Sequence, residues 1–219
     1  MRKAIVIFNT VLASLASVLP ASSALASTAG ATQAPPSAVV INVVTVNGSG
    51  CPAGTASVAL SPDNTAFTVT YSAYTALVGV GAAALDFRKN CQLILHVHVP
   101  QGFTFAVAEA DYRGFASLQP GASALERANY YFQGQPQTVY AQHTIPGGTE
   151  NDWEKVDQVG IASLEFAPCG AVRYLNINTE LRVNGGTSNT AATTSLITMD
   201  SSDVGISTIY HFAWRTCHQ

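Results

Sequence analysis

The sequence predicts an all-β protein, an antiparallel two-sheet β-sandwich of immunoglobulin or jelly-roll type stapled by disulfides. Three observations carry this. Apolar residues recur with period two in short runs, the pattern of a strand with one buried face, and helical spacing with caps is nearly absent. Gly, Pro, Asn and Asp separate the runs at Asn47-Gly48, Pro100-Gln101-Gly102, Pro146-Gly147-Gly148 and Asn184-Gly185-Gly186. Four cysteines, Cys51, Cys91, Cys169 and Cys217, stand behind a secretory leader.

The leader has three parts. Arg2 and Lys3 supply the positive start, Ala4 to Leu19 is an apolar run, and Ala24-Leu25-Ala26 is a small-x-small cleavage site. Residues 1–26 therefore read as a signal peptide, the mature chain begins at Ser27, and the location is extracellular. No later run is long and apolar enough to span a bilayer, so no membrane association is expected after cleavage. Cleavage leaves eight basic against thirteen acidic side chains, a net charge of −5, which argues against nucleic acid as a partner. Residues 27–37 are small, polar and proline-bearing and read as a disordered leader. Residues 38–219 form a single domain, long enough to bury about 70% of its unfolded surface without relying on cross-links.

The strands follow in order. One is expected at Val39–Val46. In Ala66–Tyr74, Phe67, Val69 and Tyr71 point inward. In Cys91–Pro100, Leu93, Leu95, Val97 and Val99 share the core face, with Gln92, Ile94, His96 and His98 on the wetter one. Further strands are expected at Phe103–Ala110, Ala124–Phe132, Thr138–His143 and Val159–Phe166. Ala171–Val183 places Leu175, Ile177, Leu181 and Val183 inward against Tyr174, Asn176, Asn178, Glu180 and Arg182. The last run turns Ile206, Tyr210, Phe212 and Trp214 to one face and His211 and Arg215 to the other. Asn184–Thr194 reads as a hairpin loop, because a strand pattern resumes after it.

An even cysteine count in an exported chain points to disulfides, and four cysteines allow three connectivities. Pairing of sequence neighbours, Cys51–Cys91 and Cys169–Cys217, is the expectation. A thiolate metal site would want a close pair such as C-x-x-C, which is absent.

The chain also carries an ordered set of short motifs: G-S-G-C-P-A-G-T (48–55), S-P-D-N-T-A-F-T-V-T-Y-S-A-Y (61–74), R-K-N-C-Q-L (88–93) and P-x-G-F-x-F (100–105). These are followed by Y-R-G-F-A-S-L (112–118), Y-F-Q-G (131–134), C-G (169–170) and W-R-T-C (214–217). Together they resemble the secreted proteins of domain of unknown function family 4360, over about Val43 to Cys217. The resemblance implies a small exported β protein and brings no catalytic residue or cofactor with it. Physically the motifs read as structural: Cys51-Pro52-x-Gly54 suits a tight turn pinned by a disulfide, and Asp86 is a candidate partner for Arg88 or Lys89.

Two function classes follow from the remaining residues. The first is a non-catalytic secreted module binding carbohydrate, a cell surface or another protein through exposed aromatics, with Tyr130, Trp153 and Tyr174 as candidate ligand-binding residues. Trp153 sits among Glu150, Asp152, Glu154 and Asp157 in what reads as an exposed acidic loop. Carboxylates beside an aromatic suit calcium, glycosidase acid and base, or a sugar-stacking surface. The second is a metal-binding protein or metal-dependent enzyme built on His96 and His98. An H-x-H pair on a strand puts both imidazoles on one face, about 7 Å apart by strand geometry. His143, His211, Glu109 and Asp111 are the candidate third ligands for such a transition metal, and the glutamate that a cupin pattern would place soon after His98 is missing. The binding reading is favoured and expects no cofactor. No G-x-S-x-G elbow or phosphate-cradling glycine loop occurs. Asn47-Gly48-Ser49 is a glycosylation acceptor sequence, relevant in a eukaryote.

Overall fold

The computed structural model describes residues 33–136, 138–160, 163–199 and 207–217. The signal peptide lies outside them, as do residues 27–32 of the expected leader. At the end of that leader, Gln33 N donates to the Trp214 carbonyl at 3.2 Å, and Asn64 Nδ2 donates to the Pro36 carbonyl at 2.9 Å.

Twelve strands are described: β1 (Val40–Asn47), β2 (Ala56–Leu60), β3 (Ala66–Tyr71), β4 (Thr75–Gly79), β5 (Arg88–His98) and β6 (Phe103–Ser117), then β7 (Ser123–Phe132), β8 (Val139–Pro146), β9 (Glu150–Gln158), β10 (Leu175–Asn184), β11 (Thr194–Thr198) and β12 (Thr208–Thr216). All described pairings are antiparallel and form two sheets, ordered β1-β5-β10-β7-β8 and β2-β3-β12-β6-β11-β4, with β9 also on β6. Asp111 pairs with Ile209 on one side and Val156 on the other, so β9 lines the edge of β6 opposite β12. The protein is an all-β sandwich.

The core fills from the alternate positions that the period-two pattern marks. Phe67, Val69 and Tyr71 on β3, Leu93, Leu95 and Val97 on β5, and Leu175, Ile177, Leu181 and Val183 on β10 are all buried. Aromatic rings join the two sheets: Phe105 of β6 meets Phe132 of β7 edge-on at 5.2 Å between centroids, a contact worth about 1 kcal/mol beyond its buried area. Tyr74 contributes a buried hydroxyl bond to Thr179 Oγ1 at 3.1 Å.

Both expected disulfides are present, with Cα separations of 5.4 Å for Cys51–Cys91 and 5.8 Å for Cys169–Cys217. The first is buried between the end of β1 and the inner face of β5. The second ties the segment between β9 and β10 to the chain end beyond β12.

Three expectations are corrected. The acidic run around Trp153 is strand β9 and not a loop, because its alternate residues pair along β6 from Glu109↔Gln158 to Ser117↔Glu150. No strand is described at Val159–Phe166. The Asn184–Thr194 segment is no hairpin, since β10 lies in the five-stranded sheet and β11 in the other.

Candidate functional site

Two of the three aromatics expected to be exposed are not. Trp153 is 7% exposed and packs inward over β6, its Nε1 donating to the Thr198 carbonyl at 3.1 Å. Tyr130 faces the core from β7, opposite Ile177. Neither ring is presented to a ligand. Tyr174 is half-buried and meets His96 edge-on at 5.4 Å.

His96 and His98 share the outer face of β5, as their spacing predicts, but their rings lean together to 3.7 Å between centroids, closer than the expected strand repeat. Asn42 Nδ2 lies 3.0 Å from His98 Nε2. Desolvation and then the neighbouring His98 hold the His96 pKa below its ordinary value. The pair borders a cleft of about 400 Å³ that also takes in Gln101 and Arg173. Among the described residues no third His, Cys, Asp or Glu gathers with them. The candidate third ligands lie elsewhere: Glu109, Asp111 and His211 meet one another on the outer face of the second sheet, and His143 joins Asp157 and Glu126.

Glu126 was invisible as a site residue in the sequence. It occupies a core-facing position of β7, opposite Leu181 and His143, with 0% exposure. Neither carboxyl oxygen has a hydrogen-bond partner among the described residues. His143 Nε2 stands 4.0 Å from Glu126 Oε2 and 2.8 Å from Asp157 Oδ1. Burial, and secondarily Asp157, pushes the Glu126 pKa well above its ordinary value.

The outer face of the five-stranded sheet carries a polar groove of about 370 Å³, floored by Asn90, Asn178 and Asn129 on β5, β10 and β7. Beside them Glu180 collects three arginines: Arg88 Nε at 2.6 Å, Arg127 at 2.9 Å and Arg182 at 2.7 Å. Burial alone would raise the Glu180 pKa, but the Arg88 hydrogen bond and the charges of Arg127, Arg182 and Arg88 outweigh it and hold it low. Lys89 pairs with Asp86 at 2.8 Å, so of the two basic neighbours Asp86 takes the second. At the rim Tyr140 is 56% exposed, its hydroxyl donating to Gln142 Oε1 at 2.8 Å. Asn129 Oδ1 is buried with no partner among the described residues. The alternation Val139, Ala141, His143 against Tyr140, Gln142 could have marked Tyr140 as outward from the sequence.

The motifs converge spatially. Gly50 N donates to the Asn90 carbonyl at 2.8 Å beside the Cys51–Cys91 bridge, and a Cβ on Gly50 would strike the Tyr74 ring. Trp214 Nε1 donates to the Asn64 carbonyl at 3.0 Å. They build the fold, consistent with the structural reading.

Comparison with known proteins agrees. An "Uncharacterized secreted protein" of Arthroderma benhamiae is 38% identical over 182 residues, 83% of this chain and 73% of that one. Among solved structures, the enzymatically active domain of bacteriophage CBA120 tailspike protein 4 is matched at TM-score 0.27 and 15% identity, over 79% of this chain and 19% of that one. The chain spans about a fifth of that structure. No helix among the described residues is long and apolar enough to cross a membrane. The family model described as "Domain of unknown function (DUF4360)" matches residues 37–217, and this secreted chain belongs to that family.

Proposed function

We propose that this secreted protein is a non-catalytic binding module whose ligand surface is the outer face of the five-stranded sheet, and that its ligand is a polyhydroxylated polymer. The groove of Asn90, Asn178 and Asn129 beneath the exposed Tyr140 ring carries the reading. Each amide both donates and accepts, which matches a hydroxyl that does the same, and Asn129 Oδ1 is a buried acceptor awaiting a donor. Glu180 engages all three arginines and so holds their guanidinium groups in place beside the asparagines. An exposed tyrosine supplies the flat apolar surface against which the C–H face of a sugar packs. The groups sit on strands, which holds them in place.

A glycan array with the purified mature protein, followed by calorimetry on the polymer it retains, tests this. Tyr140→Ala should weaken binding by about 1–3 kcal/mol and Asn178→Ala by a similar amount, with circular dichroism unchanged. Val172→Ala, at an exposed site outside the groove, should change nothing. Binding to no glycan, or binding indifferent to both groove changes, would remove the proposal.

A further inference from the structure

We infer that the outer face of the seven-stranded sheet carries a divalent transition-metal site formed by Glu109, Asp111 and His211. Each residue offers a ligand atom, and these atoms lie within 4.8 Å of one another. His211 Nε2 is 3.1 Å from Asp111 Oδ2 and 3.8 Å from Glu109 Oε1. One imidazole and two carboxylates on a rigid surface form a three-ligand set with coordination positions left open to solvent.

A second observation points to a ligand independently of that grouping. Asp111 is 9% exposed, and its Oδ1 is buried with no hydrogen-bond partner among the described residues. Neither Glu109 nor Asp111 has an arginine or lysine within ion-pair distance among the described residues, so a largely buried carboxylate and a partly exposed one face one histidine. A buried, unpaired carboxylate oxygen is unfavourable, and a cation beside it satisfies the lone pairs that the protein leaves open. Gln158 Nε2 holds Glu109 Oε2 at 2.6 Å and thereby leaves Oε1 directed toward His211. Such an outer hydrogen bond orients a ligating carboxylate.

The backbone makes the site. Between β6 and β12 the register passes from Val107↔Phe212 to Glu109↔His211, so Ala108 is an extra residue, a β-bulge. Its carbonyl is taken by Val159 N at 2.8 Å. Without the bulge, strict alternation after Phe105 and Val107 would turn Glu109 and Asp111 into the core. With it, Ala110 and Tyr112 go inward and both carboxylates reach the face that His211 occupies.

The imidazole in the donor set selects borderline ions such as zinc or nickel over calcium, which prefers oxygen alone. The site lies on the opposite sheet from the proposed glycan groove, so each reading can fail without the other. Calorimetry with zinc and with nickel on the metal-stripped mature protein, backed by elemental analysis, is the test. One ion per chain is expected, with at least a tenfold loss of affinity for His211→Gln, Asp111→Asn and Glu109→Gln, and none for the His96→Gln/His98→Gln double variant. His211 is partly exposed, so its variant should keep the wild-type circular dichroism and separate loss of metal from loss of fold. No stoichiometric binding, calcium binding alone, binding that survives His211→Gln in a folded protein, or loss only in the His96/His98 variant would overturn the inference.

Discussion

Trp153 lies across Gly114, its register partner on β6, and fills the space where any side chain at that glycine would stand. A Cβ at Gly114 would overlap the Thr198 carbonyl oxygen and come within 2.8 Å of the indole Cζ2. The same carbonyl accepts the indole N–H, so the glycine, the ring and β11 are mutually dependent. Gly114→Ala should therefore cost about 1–3 kcal/mol through overpacking, and Trp153→Ala about 3–5 kcal/mol, measured by urea denaturation. An unchanged midpoint in both would mean that the ring is not seated there.

The buried Cys51–Cys91 bridge closes 40 residues and the Cys169–Cys217 bridge 48. In the loop-closure account each stabilises by roughly 4 kcal/mol. Thiol titration of denatured, unreduced protein should find no free cysteine, and Cys51→Ala/Cys91→Ala should lower stability by about that amount. Free thiols in the oxidised protein would contradict the pairing.

Glu126 binds its proton more tightly in the folded state than in the unfolded chain. Its contribution to stability is thus fully present below the ordinary value of 4.5 and is lost as the pH rises toward the higher folded-state value. His143 and Asp157 face it, and their mutual contact leaves the two Glu126 oxygens unsatisfied. Glu126→Gln should flatten the fall in stability as the pH rises above 4.5 in urea unfolding. Parallel pH profiles for the two proteins would place the titration elsewhere.

Glu180 has the opposite sign. Its folded pKa is depressed, so its stabilisation is present above the ordinary value of 4.5 and fades as the pH drops through the lower folded value. Glu180→Gln leaves Arg88, Arg127 and Arg182 without their shared carboxylate and should cost about 2 kcal/mol at pH 7, below the usual figure for a broken buried pair because the arginines are partly solvated. Acid unfolding of the variant should begin from that lower plateau and lose less on acidification.

Leu95 and His96 are adjacent but face opposite ways, Leu95 into the core and His96 to the half-buried outer side. Leu95→Asp should abolish folding while His96→Asp leaves a folded protein by circular dichroism. Equal damage would mean the β5 register is misplaced.

Much of this was legible in the chain. The period-two runs located the core faces of β3, β5 and β10, because burial of one strand face leaves its mark residue by residue. Short β2 and β11 were missed because five residues rich in Ala, Ser and Thr carry little contrast between faces, and β4 because its adjacent Leu77 and Val78 show no alternation. The acidic run hid β9, since the outer face of an edge strand takes charge freely and Trp153 is its one buried residue, with Lys155 and Asp157 on the same side only half-buried. His96 and His98 were read correctly as outward neighbours. Three of their proposed third ligands, Glu109, Asp111 and His211, instead found one another while His143 met Asp157, and sequence spacing holds no information about which strands lie side by side.

The sequence by itself determined the compartment, the β architecture, the inward and outward faces of the long strands and the family, because each of these is written in local pattern: a leader, a period, an ordered set of motifs. Tertiary structure alone decided the sites. Glu180 meets Arg88 from 92 residues away, and His211 meets Asp111 from 100. One bulge at Ala108 turns two carboxylates from the core to the surface, and the burial of Trp153 and Tyr130 depends on the sheet each lies against. These outcomes follow from strand order and register, which arise when many weak, distant contacts are satisfied together and which no short stretch of chain encodes.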